Sequence, residues 1–174
     1  MSKSSFTVRQ LARAGVVGAA YAVLSLFASV FGVAFGPVQC RFSEALCVLP
    51  FLFPETAWGL FAGCVIANLL SPYGALDIIF GSLATLIASL WTARVKTKWL
   101  APLPPVLCNA LIVGAVISYE EVGTGSAFGG TFVFNVLSVG GGEAIACYVL
   151  GGLLLLALPR IPAFRRYLPA EKQL

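Results

Sequence analysis

Three carboxylates (Glu44, Asp77 and Glu143), two amides (Asn68 and Asn109), and the neighbours Gln39 and Arg41 stand inside or at the edges of apolar sequence. These residues have the chemistry for recognition. A carboxylate accepts two parallel N–H donors in a fork, whereas an amide or guanidinium donates to a carbonyl. The set therefore suits a flat polar ligand edge that carries both donors and an acceptor, and Phe42 and Tyr73 are aromatic residues suited to stacking on such a ring. Trp58 falls at the opposite end of its segment and reads as an interface or packing residue. The set does not suit bond making. The chain has no His, no nucleophile with an evident base, and no phosphate loop, since Gly140-Gly141-Gly142 lacks the Lys and Ser/Thr of such a loop. Its five cysteines, at 40, 47, 64, 108 and 147, are odd in number and lack CxxC spacing, so neither metal nor cofactor is expected. Cys40 alone is placed for chemical exposure; the others read as small apolar packing residues.

The elements that must position these groups follow from hydropathy and charge. With 59% hydrophobic residues, 10% charged residues and a mean hydropathy of +0.95, the chain is too apolar to cover a soluble surface. The bilayer is its solvent. Ten of the eleven Lys and Arg fall in three clusters: Lys3, Arg9 and Arg13; Arg94, Lys96 and Lys98; Arg160, Arg165, Arg166 and Lys172. Basic residues flanking apolar spans mark the cytoplasmic side, so both termini and the 94–98 loop are expected inside, with an even number of spans between clusters. The net charge of +4 then reads as anchoring to anionic inner-leaflet lipid, and nucleic-acid binding is not expected. The apolar run from Ala14 to Phe35 is about as long as a span and precedes no persuasive cleavage site, which argues against a signal peptide.

Six apolar segments can be drawn, at 10–33, 43–54, 56–71, 75–93, 101–119 and 141–158, the second short, with Pro50 and Pro54 interrupting the second-to-third region. The expected fold is a single all-α integral membrane domain over 1–174, a multi-pass protein of the cell membrane with six transmembrane helices. Loops 34–42, 72–74 and 120–140 then lie outside, and the last is apolar enough to fold back as a lid. Glu44, Asp77 and Glu143 thereby fall at outer helix ends on the side of Arg41. A carboxylate at mid-membrane costs about 2.5 to 3.5 kcal/mol on insertion scales, which makes a polar pocket one account of these acids. Caps in the headgroup zone that complement helix dipoles are the other.

Four blocks carry a resemblance to a known family. Arg41-Phe42-Ser43-Glu44-Ala45-Leu46 with Val48-Leu49-Pro50, the stretch from Leu76-Asp77 to Leu86, Pro104 to Leu111 around Asn109, and Gly142-Glu143 to Gly151 resemble the QueT family, in order and over nearly the whole chain. The resemblance implies an S-component-type bundle: the substrate-capture subunit of an energy-coupling factor importer, binding a queuosine precursor such as preQ1, preQ0 or queuine outside the cell. It also implies partners, namely a transmembrane T component and two ATPases that power release inside. The residues agree with such a ligand. A 7-deazaguanine offers N1–H and an exocyclic amine to a carboxylate and a carbonyl to a donor, and the aminomethyl cation of preQ1 would take a second carboxylate. Glu44, Asp77, Asn109 and Glu143 are the preferred contacts, with Arg41 either on the base or paired to Glu44. S components resemble one another in a helix-one AxxxA docking motif, matched most nearly here by Ala14-x-x-x-Gly18-x-x-x-Ala22; the same small residues would also serve packing within the bundle. An S component for another vitamin, a stand-alone secondary transporter and an intramembrane enzyme are the competing readings.

Overall fold

The computed structural model describes residues 6–30, 41–165 and 167–168. Gln39 and Cys40 lie outside the described residues. Among the described residues the chain is helical and contains no strand. Its principal helices are α1 (Val8–Val30), α2 (Phe42–Phe51), α3 (Thr56–Asn68), α4 (Gly74–Thr92), α5 (Leu103–Val122) and α6 (Phe128–Arg160), followed by the short α7 (Pro162–Arg165). Four of them, α1, α4, α5 and α6, are long and apolar enough to cross a membrane, whereas α2 and α3 have ten and thirteen residues. About twenty residues of α-helix span the hydrocarbon core. The short second segment is wound as a 3₁₀ helix, which rises about 2 Å per residue against 1.5 Å for an α-helix and so gains length from few residues.

Side-chain pairings give the directions of the six rods. Arg13 of α1 meets Glu55 just before α3 at 2.8 Å, Gly18 lies against Gly59 and Gly63, and Tyr21 reaches Cys64 at 3.6 Å, so α1 and α3 run parallel. Ser25 donates to Ser43 at 2.7 Å, while Arg13 stacks over the Phe53 ring at 4.9 Å, so α2 descends between them. Thr85 of α4 meets Cys64 at 3.3 Å, and Asn135 of α6 donates to Ser118 and Glu121 of α5, each at 3.0 Å. The rods therefore alternate in direction. One end of the bundle collects Arg13, the 94–98 loop and the residues after α6: Arg13 also stacks over Tyr167 at 5.7 Å, and Pro159 shares a cavity with Arg94, Lys96 and Lys98.

The sixth segment differs from its expected form. Helix α6 begins at Phe128, not 141, so most of the 120–140 stretch expected as a loop or lid is helical, and α5 continues to Val122. The glycines at 129, 130, 140, 141 and 142 read locally as chain breaks, yet apolar residues between them and contacts along α5 hold the helix together. Glu143 consequently sits near the middle of α6, where no helix terminus is available to stabilise it.

Small residues set the closest approach. A Cβ on Gly59 would fall on the Ala14 carbonyl oxygen, one on Gly18 on the Gly59 carbonyl, and one on Gly63 on the Gly18 carbonyl. With Ala14 and Ala22 buried, the Ala14, Gly18, Ala22 stripe is covered by the protein's own α3. This corrects the expectation of an outward docking face there. Packing within the bundle uses the stripe because backbone-to-backbone contact yields dispersion energy where lipid gives no hydrophobic drive.

Candidate functional site

Glu44, Asn109 and Glu143 come from three helices and meet inside the bundle. Asn109 Nδ2 donates to Glu143 Oε1 at 2.9 Å and lies 3.4 Å from Glu44 Oε2, so one amide bridges both carboxylates. All three are buried, at 1%, 3% and 6% exposure for Glu44, Asn109 and Glu143. Their side chains are thus packed inside the bundle and not on its surface. Glu44 is further held by the Tyr21 hydroxyl and by the Cys47 thiol at 3.1 Å, while the Cys147 thiol donates to the Glu44 backbone carbonyl at 3.3 Å. A buried charge persists only with such partners. Asn109 Oδ1 keeps no hydrogen-bond partner among the described residues, leaving an acceptor free beside two carboxylates.

Arg41 closes the site toward the other end of the bundle from the basic clusters. Its guanidinium lies 3.6 Å from Asp77 Oδ2 and 3.4 Å from Asn68 Oδ1, and Ser71 Oγ donates to Asp77 Oδ2 at 2.6 Å. Asn68 Nδ2 in turn donates to the Asp77 carbonyl at 3.0 Å. Asp77 and Asn68 thus hold Arg41, whose ion pair is with Asp77 and not with Glu44, one of the two alternatives expected for it. The cavity enclosed between these layers is lined by Arg41, Glu44, Gly81, Thr85, Asn109, Val113, Val139 and Glu143, with a volume of about 10 Å³. That is room for about one water molecule. A molecule much larger than water fits there only when these side chains part.

Local backbone irregularity accompanies the site. Asp77–Gly81 and Ile145–Gly151 are π-helical turns inside α4 and α6, one starting at Asp77 and the other two residues after Glu143. Such turns widen a helix by one residue and frequently mark functional positions. Gly151 lets α2 approach α6, since a Cβ there would stand 2.8 Å from Val48 Cγ1 and 3.0 Å from the Ala45 carbonyl.

Of the other expected contacts, Tyr73 is half-buried against the cluster of Ala84, Val113, Ile117 and Val139 that backs the cavity, whereas Phe42 is exposed at 42%. Phe42 is not among the residues that line the cavity. Residues missed in the sequence include Tyr21, Cys47, Cys147 and Thr85. A signal did exist for Thr85: Asp77, Gly81 and Thr85 recur every four residues and so share one helix face. Tyr21 had none, because its partner lies on another helix.

Comparison with known proteins bears on what this arrangement serves. The family model described as QueT transporter matches residues 11–160. The curated queuosine precursor transporter QueT of Lactococcus lactis subsp. cremoris (strain MG1363) is 33% identical over 72 residues. That aligned stretch is 41% of this chain and 42% of the relative, less than half of either protein. No solved structure matches. The family match takes in Glu44, Asp77, Asn109 and Glu143 together and all four helices long enough to span, and so this multi-pass protein of the cell membrane belongs to the QueT transporter family.

Proposed function

We propose that this chain is the substrate-capture S component of an energy-coupling factor importer and that it takes up a queuosine precursor of the 7-deazaguanine class: preQ1, preQ0 or queuine. The observation that carries this reading is the Glu44–Asn109–Glu143 cluster, a buried set of carboxylates around an amide whose oxygen is unpartnered, in a member of the QueT transporter family. One carboxylate accepts the N1–H and amine of the base, Arg41 or Asn109 faces its carbonyl, and the second carboxylate meets the aminomethyl cation when preQ1 is bound. Asp77 and Asn68 position Arg41. Ligand entry displaces the Asn109 bridge and opens the small cavity, exchanging one set of hydrogen bonds for another. Calorimetric titration of the purified chain with preQ1, preQ0, guanine and adenine tests this: deazaguanines bind and adenine does not, while equal binding of adenine would overturn it.

In this reading the chain makes six alternating passes with the basic clusters inside, and the cluster's Arg41 end faces the exterior. An impermeant thiol reagent applied to intact cells is then expected to label Thr124→Cys, an exposed position between α5 and α6, and to leave Lys96→Cys unlabelled. The reverse pattern would invert the orientation.

A T component and two ATPases supply the energy in this reading. Because α3 covers Ala14, Gly18 and Ala22, the face of α1 left for the T component is the exposed one with Ala12, Gly15 and Ala19. Small residues there admit close helix approach. The isolated chain is expected to bind ligand yet neither hydrolyse ATP nor accumulate substrate. Gly15→Leu should abolish co-purification with the T component at unchanged ligand affinity, and retained co-purification would remove this face from consideration.

A further inference from the structure

At the end of the bundle opposite to Arg41, the loop after α4 encloses a cavity of about 730 Å³, far larger than the space between the carboxylates. Its rim carries Arg94, Lys96 and Lys98, its floor is apolar through Phe51, Leu52 and Leu155, and no carboxylate among the described residues lines it. Such a cavity selects an anion with an apolar part. Lys98, Trp99 and Leu155 also line a second groove of about 280 Å³, which continues along α6 over Tyr148, Gly152 and Leu156. The two cavities therefore share a wall. Trp99 is 70% exposed with the Lys98 ammonium 5.8 Å from its ring, the placement of an amphipathic side chain at a membrane surface. Open space lies over Gly152, where a Cβ would have nothing within 4 Å.

We propose that these two cavities form one site for an anionic phospholipid of the inner leaflet, with the phosphate among Arg94, Lys96 and Lys98 and one acyl chain along the α6 groove. Charge and shape agree on this occupant. A cationic rim alone would suit any phosphate, but the apolar groove leading from it toward the lipid-facing side of α6 suits a chain attached to that phosphate. The site is separate from the carboxylate cluster, so it bears on anchoring of the 94–98 loop and not on ligand recognition.

The test uses the full chain in detergent, stripped of co-purified lipid and titrated with phosphatidylglycerol or phosphatidylcholine of identical acyl chains, with binding read by native mass spectrometry. Phosphatidylglycerol is expected to bind more tightly, and Lys96→Gln with Lys98→Gln should reduce its affinity by about fivefold for each cation removed. High salt should narrow the preference. Gly152→Leu fills the groove without touching the charges, so both lipids should weaken while their ratio stays. Glycerol phosphate without acyl chains should fail to compete. Equal affinity for the two lipids, or an unchanged preference in the double variant, would reduce the site to nonselective lipid contact; competition by glycerol phosphate as strong as by lipid would make it a site for a free phosphate and overturn the proposal. Deazaguanine titration of the same variants keeps this outcome distinct from the fate of the transport reading.

Discussion

Gly59→Ala should lower the stability of the bundle by about 2 kcal/mol, although alanine is the better helix former. The added methyl meets the Ala14 carbonyl oxygen, an atom of the facing backbone that cannot rotate away as a side chain would. Overpacking of this kind costs about 1 to 3 kcal/mol and more where the backbone must shift, which outweighs the roughly 1 kcal/mol that alanine gains over glycine in a helix interior. Gly15→Ala supplies the opposing control on α1. Nothing lies within 4 Å of a Cβ there, so the propensity gain stands alone and stability should rise by about 0.5 to 1 kcal/mol. Thermal unfolding of both variants in one detergent decides the point: a rise in both would mean that α1 and α3 do not meet backbone to backbone.

The second large effect is expected in ligand affinity. Glu143→Gln and Glu44→Gln keep the side-chain shape but remove a charged acceptor, so each should weaken deazaguanine binding by about 1.5 to 3 kcal/mol, the range for hydrogen bonds to charged groups. One of the two should weaken preQ1 more than uncharged preQ0, because only preQ1 brings an ammonium. Asp77→Asn acts differently. It removes the partner of a largely buried guanidinium, and its main effect should be on stability, since an uncompensated buried charge costs about 3 to 5 kcal/mol. Glu121→Gln, at the end of α5 and tied to Asn135, should change affinity little. Calorimetry on wild type and the four variants separates these roles. Unchanged affinity in both Glu44→Gln and Glu143→Gln would place the ligand elsewhere.

Much of the architecture was legible along the chain because its determinants are local. Apolar runs of span length, basic residues at their ends and acids inside or beside them are properties of consecutive residues, and a bilayer turns an apolar run directly into a helix. Glu44, Asn109 and Glu143 could be chosen that way, since each is a polar group inside or at the edge of an apolar segment. Their meeting could not. It depends on how three helices are rotated about their axes, which is set by packing between residues as far apart as 44 and 143. The same reason hid Tyr21, whose hydroxyl has a partner only once α2 lies beside α1, and gave different partners to Asp77 and Glu143, which look equivalent as isolated acids. The small-residue stripe of α1 shows the limit most directly: sequence determined that some helix would approach Ala14, Gly18 and Ala22 closely, and only the tertiary structure decided that it would be α3 of the same chain. Likewise the glycines before Glu143 permit either a loop or a helix, and contact with α5 selects the helix, because in an apolar surrounding the backbone hydrogen bonds of a packed helix leave no polar group unpaired.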